Sequence, residues 1–274
     1  MIQKYLNLTF LGMFISLIIF VVLSVYEFPE SFKKYKQKRA ETVLIVGLDQ
    51  SEEDINPDTI LLAALPKSGG APNILSIPRD TLVETQDGTN RINHSWHNNG
   101  NITGLRGALN SLANITVDRY LVINFKDLEN LIDDLGGVKI HIEKNLEYED
   151  LSQNLKINFE SGIHNLNGKD SVLYARFRND ALGDIGRIQR QQKLAHAILK
   201  KFHSSGSLKK ISVIISFLKN IETNLKIEEV LILGTRTLGE SPLTEILPGK
   251  FMGPYWSPKM EDLNIWISKN INSK

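Results

Sequence analysis

Thr42-Val43-Leu44-Ile45-Val46-Gly47 is the stretch whose reading decides the fold. It is an unbroken run of β-branched and aliphatic residues closed by a glycine, the pattern of a strand buried on both faces. Asp49 follows at its carboxyl end. Two further apolar runs, residues 59–65 and 73–77, are separated by Pro66-Lys67-Ser68-Gly69-Gly70-Ala71-Pro72 and read as a hairpin with a longer loop. The second run delivers Pro78-Arg79-Asp80. Downstream, a helix near residues 104–112, a strand at 120–124, a helix over 126–135 stopped by Gly136-Gly137 and a strand at 138–142 alternate. That order predicts an α/β sheet covered by helices on both faces, with ligands gathering outside the carboxyl ends of the strands, where Asp49 and Arg79 fall. The last third reads as mostly helical, firmest over 185–202, 208–218 and 260–271.

Upstream of that strand the composition changes. Residues 5–26 carry no charge and are dense in Leu, Ile, Val and Phe, long enough to cross a bilayer. A cleaved signal peptide would have a shorter apolar region and a small-x-small exit; this stretch leaves through Ser24-Val25-Tyr26-Glu27-Phe28, so it reads as a retained anchor. Residues 28–41 are polar and basic, a juxtamembrane linker whose lysines can touch anionic headgroups. The expected organisation is therefore residues 1–27 as tail and transmembrane helix, 28–41 as linker and 42–274 as one domain.

Over the whole chain 32 basic residues meet 31 acidic ones, so the broad positive footprint of a nucleic-acid binder is absent and any anion must be held by a local cluster. The absence of cysteine removes disulfides, thiolate nucleophiles and Cys-based metal sites. The six histidines show no metal-ligand spacing, and neither a Gly-x-Ser-x-Gly elbow nor a Walker-type loop is present.

One cluster stands out. Arg176, Arg178, Arg187 and Arg190 fall within fifteen residues. On a helix opened by Asp184 as N-cap, Ile188, Leu194, Ala195, Ile198, Leu199 and Phe202 form an apolar stripe at 3.6-residue spacing. Arg187 and Gln191, at i and i+4, extend the stripe and should point inward, whereas Arg190 is expected to fall off it toward solvent. An inward arginine needs an anion, either a structural carboxylate or a phosphate at the helix amino terminus. Arg176 and Arg178 share a side only if their segment is extended.

The blocks Leu44-Ile45-Val46-Gly47-Leu48-Asp49, Pro57-Asp58-Thr59, Ser76-Ile77-Pro78-Arg79-Asp80, Arg91-Ile92-Asn93, Leu135-Gly136-Gly137-Val138, Tyr174-Ala175-Arg176-Phe177-Arg178 and Gly186-Arg187-Ile188-Gln189-Arg190-Gln191 resemble, in order, the signature of the LytR-CpsA-Psr family. The resemblance spans roughly Val43 to Phe202 and includes the position of the anchor. It implies an α/β/α sandwich with a central mixed β-sheet, preceded by one N-terminal transmembrane helix, that holds a polyprenyl diphosphate with its lipid in an apolar tunnel. It implies a phosphotransferase moving a glycopolymer from that carrier onto a hydroxyl of peptidoglycan or another envelope acceptor, with release of polyprenyl phosphate. On the matching positions, Asp49 and Asp58 are the metal-binding acids for Mg²⁺ or another divalent cation such as Mn²⁺; Arg79, Arg178, Arg187 and Gln191 contact the diphosphate, with Arg176 a further member. Family members often carry arginines between the two acids, and residues 50–57 have none. Asp184 and Asp80 are candidates for the general base.

The resemblance implies an extracytoplasmic domain on a single-pass anchor in the cell membrane. Local charge opposes this: Lys33, Lys34, Lys36, Lys38 and Arg39 against Lys4 and the amino terminus favour a cytoplasmic domain. A membrane-anchored regulatory or binding protein of the transcription-attenuator type, and a polyprenyl-diphosphate hydrolase with water as nucleophile, are the alternatives.

Overall fold

The computed structural model describes residues 40–51, 54–66, 70–85, 88–97, 100–150, 155–177, 184–230 and 243–272. The expected anchor, nearly all of the linker, and Arg178 lie outside the described residues, as do the side chains of Asp49, Asp184 and Arg187. Among the described residues no helix is long and apolar enough to cross a membrane.

In chain order the elements are β1 (Glu41–Ser51), β2 (Asp54–Leu65), β3 (Asn73–Ile77), β4 (Leu82–Thr85), β5 (Gly88–Arg91), a 3-10 turn at Ile92–Trp96, α1 (Ile102–Ala113), β6 (Arg119–Ile123), α2 (Phe125–Leu135) and β7 (Val138–Ile142). There follow β8 (Leu146–Asp150), β9 (Leu155–Phe159), β10 (Gly162–Leu166), α3 (Gly168–Arg176), α4 (Asp184–Ser204), α5 (Ser207–Asn220), β11 (Glu222–Thr223), β12 (Leu243–Ile246), β13 (Gly249–Met252), β14 (Tyr255–Pro258) and α6 (Met260–Asn270).

The central sheet runs β11-β6-β1-β2-β3-β12. β1 pairs parallel with β6 and β3 with β12; the other neighbours are antiparallel, which makes the sheet mixed. The apolar run in β1 explains why layers form on both sides. Val43 and Ile45 enter a core with Leu131 and Ile132 of α2, Val172 of α3, and Leu194 and Phe202 of α4. Leu44 and Val46 enter a second core with Trp96, Leu105 and Leu109 of α1, Trp256 and Leu263. Each such buried aliphatic contributes about 1.5–3 kcal/mol, so β1 is anchored from both faces.

From β1 the chain turns to one side through β2 and β3, then returns through α1 to β6 on the other side. The carboxyl ends of β1, β3, β6 and β12 consequently share one edge, and β1 is the switch point at which a crevice opens in sheets of this kind.

Two sequence expectations change, and one stretch without an expectation gains structure. Residues 50–51 and 54–57, expected within a loop between the two acids, instead prolong the β1–β2 pairing, with Asp49 opposite Asn56 and Ser51 opposite Asp54. Asp49 therefore sits inside the paired strand, because ladder hydrogen bonds continue past the apolar run. The stretch before α3 folds into β8–β9 and β7–β10 ladders. The last third contains the β13–β14 hairpin as well as the three expected helices.

Candidate functional site

The site begins at an irregularity in the ladder. Gly47 pairs with Thr59 but Leu48 pairs with Pro57, so Asp58 is a bulged residue without a cross-strand partner. A bulge re-aims its side chain and is characteristic of sheet margins beside functional sites. Asp58 meets Arg79, whose Nη1 donates to Asp58 Oδ1. Arg79 follows β3 in a turn fixed by hydrogen bonds: Thr81 N and Thr81 Oγ1 donate to Pro78 O (2.9 and 2.6 Å), and Asn93 N donates to Arg79 O (3.2 Å). The backbone is thus pinned while the Arg79 side chain remains 47% exposed and that of Asp58 34%.

The neighbouring strand supplies a helix start at the same edge. β6 ends at Ile123, and Asn124 caps α2 by accepting from Asp127 N (3.0 Å) while Asp127 Oδ2 accepts from Asn124 N (2.9 Å). Burial pushes the Asp127 carboxyl above its ordinary range, against the lowering effect of the Asn124 hydrogen bond. The positive end of the α2 dipole therefore points at this edge, where it favours an anion.

Arg176, the last residue of α3, lies with its guanidinium carbon 5.5 Å from the ring centroid of Phe125, the first residue of α2. Close packing allows this: a Cβ at Gly168 would stand 2.1 Å from Glu129 O, so only glycine lets α3 approach α2 so closely. Two side chains of α4 then fasten the end of α3. Gln191 Nε2 donates to Ala175 O (3.3 Å) and Arg190 Nη2 donates to Phe177 O (2.7 Å), satisfying carbonyls that a helix end leaves open. These bonds bracket Arg176.

The sequence placed Gln191 inward, and it is 2% exposed, with Leu194, Ala195, Ile198 and Phe202 also buried. The expectation for Arg190 was wrong. It is 8% exposed, its guanidinium 4.9 Å from the Phe177 ring centroid. Phe177 and the end of α3 cover the flank of α4 that would otherwise face water, and a long guanidinium reaches a helix carboxyl end where its charge is welcome. Because α3 is helical up to Arg176, extended alignment of Arg176 with Arg178 does not hold at the first of them. Asp80, a base candidate, is held by Arg91 Nε at 3.4 Å.

The sequence reading overlooked Tyr174. It is wholly buried, and among the described residues neither its hydroxyl nor Ser171 Oγ nor Gln191 Oε1 has a hydrogen-bond partner. Burial, with the charge of Glu143, pushes its phenol well above the ordinary range despite the opposing charge of Arg190. The i, i+3 spacing of Ser171 and Tyr174, with Ala175 beside them, was the available signal for a polar strip on the buried face of α3.

For a cation, the fit rests on the donor set. Among the described residues no group of three or more His, Cys, Asp or Glu gathers. Asp58 is exposed at the bulge, and Asp49 sits opposite Asn56, two residues along β2 from Asp58. Two carboxylates on adjacent strands suit a hard ion that takes only one or two protein ligands and completes its shell with phosphate oxygens and water.

Comparison with known proteins agrees with this architecture. A profile described as the LytR_cpsA_psr family matches residues 24–246. The chain is 28% identical over 207 residues to TagV of Bacillus subtilis (strain 168), named a polyisoprenyl-teichoic acid–peptidoglycan teichoic acid transferase, covering 72% of this chain and 53% of that protein. It is 29% identical to the regulatory protein MsrR of Staphylococcus aureus (strain COL), over 67% of this chain and 56% of MsrR. The chain thus spans little more than half the length of these curated relatives. In fold it resembles the crystal structure of B. subtilis TagV (TM-score 0.62, 22% identity, 87% of this chain and 99% of that one) and a structure of TagT bound to LIIa-WTA (TM-score 0.59, 22% identity, 91% and 99%).

Proposed function

The chain belongs to the LytR_cpsA_psr family, and on that premise we propose that it is a phosphotransferase that moves a glycopolymer from a polyprenyl-diphosphate carrier onto a hydroxyl of peptidoglycan or another envelope acceptor. The observation that carries the reading is the placement, along one edge of the sheet, of a partly exposed Asp58–Arg79 pair and of the amino end of α2 with Arg176 packed against it. Such a set of cationic donors and one helix terminus recognises a phosphorylated headgroup. The transferase name of TagV supports the same reading, and the regulatory name of MsrR supports the runner-up, a membrane-anchored binding protein.

In the proposed reaction the acceptor hydroxyl oxygen bonds the sugar-side phosphorus and gives up its proton to a carboxylate or to water. The bond from that phosphorus to the bridging oxygen breaks, and polyprenyl monophosphate leaves with the electron pair. Arg79, Arg176, Arg178 and Arg187 bind the diphosphate oxygens, with Gln191 beside them; being charged at every relevant pH, the guanidinium groups stabilise the charge that builds on the leaving phosphate. Asp49 and Asp58 would hold Mg²⁺ or Mn²⁺, which neutralises phosphate charge when bound. Residues 5–26 anchor the chain, and the domain faces the outside of the cell membrane.

Full-length protein in detergent, given a lipid-diphosphate-linked glycan, Mg²⁺ and a peptidoglycan acceptor, is expected to form the glycan–acceptor linkage. Arg187→Ala should lower turnover by ~10²–10³ without changing the unfolding temperature. Full activity in that variant would sink the reading, and release of free glycan phosphate alone would make the chain a hydrolase. Topology is tested at Gly206, where an added Cβ meets nothing within 4 Å and the chain has no cysteine to compete. Gly206→Cys should react in intact cells with a thiol reagent that cannot enter the cytoplasm; protection from it would place the domain inside.

A further inference from the structure

The hairpin β13–β14 is fastened to the turn that carries Arg79. Trp256 N donates to Asp80 O (2.9 Å), and Trp256 forms a parallel bridge with Thr81. The Trp256 indole is buried, with the ring of Phe251, its cross-strand partner, edge-on at 5.0 Å. Side chains alternate along a strand, so anchoring Trp256 inward turns Tyr255 outward. The strands are joined by Gly253-Pro254, and φ of +60° at Gly253 is what a two-residue turn with its first centre in the left-handed region requires.

Tyr255 is 38% exposed, and Met252, opposite it, is exposed as well. The Arg91 guanidinium carbon lies 5.2 Å from the Tyr255 ring centroid, and Arg91 Nε lies 3.4 Å from Asp80 Oδ1. An aromatic ring is thereby held on a rigid mount, partly open to solvent, with the Arg91 guanidinium over one face and Asp80, the residue after Arg79, paired to that guanidinium. A pyranose ring needs the same combination: an electron-rich aromatic face for its C–H groups and polar groups at the rim for its hydroxyls.

We propose that Tyr255, with Met252, Arg91 and Asp80, forms a subsite for a sugar ring of the acceptor glycan. Assignment to the acceptor rests on the transferase reading. Phosphoryl transfer places attacking and leaving oxygens in line across phosphorus. Arg176 and Gln191 belong to the helices packed on one face of the sheet, whereas the hairpin packs into the core on the opposite face. A leaving phosphate drawn toward α3 and α4 requires the incoming hydroxyl to arrive from the hairpin side.

The probe is a β-1,4-linked N-acetylglucosamine tetrasaccharide, titrated calorimetrically against the full-length protein in detergent. Tyr255→Ala is expected to weaken binding about 10-fold, and Tyr255→Trp to keep it, with unfolding temperatures unchanged. Absence of wild-type binding, or equal affinity in Tyr255→Ala, overturns the subsite. In the transfer assay Tyr255→Ala should raise KM for the acceptor about 10-fold and leave KM for the lipid donor alone; a rise confined to the donor overturns the acceptor assignment. If Tyr255→Ala reduces sedimentation with anionic phospholipid vesicles while tetrasaccharide affinity stays constant, the hairpin is a lipid contact and the proposal falls. A wild-type chain that binds the tetrasaccharide but transfers nothing would remove the transferase reading and leave the sugar platform standing.

Discussion

The two edges of the central sheet carry the same chemistry to opposite ends. At the amino edge Arg119, the first residue of β6, has Nε 3.1 Å from Glu229 Oε2, a second bond from Nη2 to Glu229 Oε1, Nη1 on Asp118 O (3.1 Å) and Glu41 at 3.9 Å. At the carboxyl edge Arg79 has Asp58, a pinned backbone and a side chain nearly half exposed. Burial alone would raise the Glu229 carboxyl, but the hydrogen bond and charge of Arg119 and the Lys226 N–H (2.9 Å) outweigh it and hold the group below its ordinary 4.5. The Arg119 guanidinium ties β6 to Glu229 and to the Asp118 carbonyl through three hydrogen bonds, whereas Arg79 pairs with a partly exposed carboxylate and is itself more open to solvent. The same residue pairing is therefore well enclosed at one edge and more accessible at the other.

Breaking the open edge should have the largest effect on turnover and nearly none on folding. Arg79→Ala is expected to reduce transfer by ~10²–10³, with stability within about 0.5 kcal/mol because the side chain is exposed. A steady-state assay beside a thermal melt checks both halves, and a large loss of stability would erase the distinction between the edges. Breaking the closed edge should do the reverse. Arg119→Ala is expected to cost about 1–3 kcal/mol, because Glu229 and Glu41 lose a shared cation, while donor affinity at permissive temperature stays unchanged.

The closed edge also has a pH signature. The folded carboxyl of Glu229 is lowered relative to the unfolded chain, so its contribution is fully present above the ordinary 4.5 and is lost as pH falls through the folded value. Glu229→Gln should be less stable than wild type near pH 7, with the difference shrinking as pH falls below the ordinary 4.5 and through the lowered folded value; urea melts at several pH values test this. The smallest effect belongs to the interior between the edges. Tyr174→Phe removes a buried hydroxyl that has no hydrogen-bond partner among the described residues, and should raise stability by up to about 1 kcal/mol, a shift of about 2–4 °C in Tm. A lower Tm would mean that the hydroxyl has a partner in solution.

Legibility in the sequence followed locality. Alternation and apolar runs are decided within a few residues, and so β1, the β2–β3 hairpin, the body of α2 and the stripe of α4 were readable, whereas Asn124, expected as the end of the strand, caps α2 instead. The hairpins β8–β9 and β13–β14 were not, because short strands with half-exposed residues leave a weak period-2 signal. Arg190 was misread for a related reason: whether the flank of a helix meets water depends on what packs there, and Phe177 does.

By itself the sequence determined the strand that must be buried from both sides and the order in which two acids and several arginines follow it along the chain. Only the tertiary structure decided that Asp58 occupies a bulge facing Arg79, that Gln191 and Arg190 close the end of α3 around Arg176, and that Arg119 is locked while Arg79 stays exposed. The physical reason is that a side chain's type is written at its own position, whereas its saturation is set by groups 13 to 110 residues away.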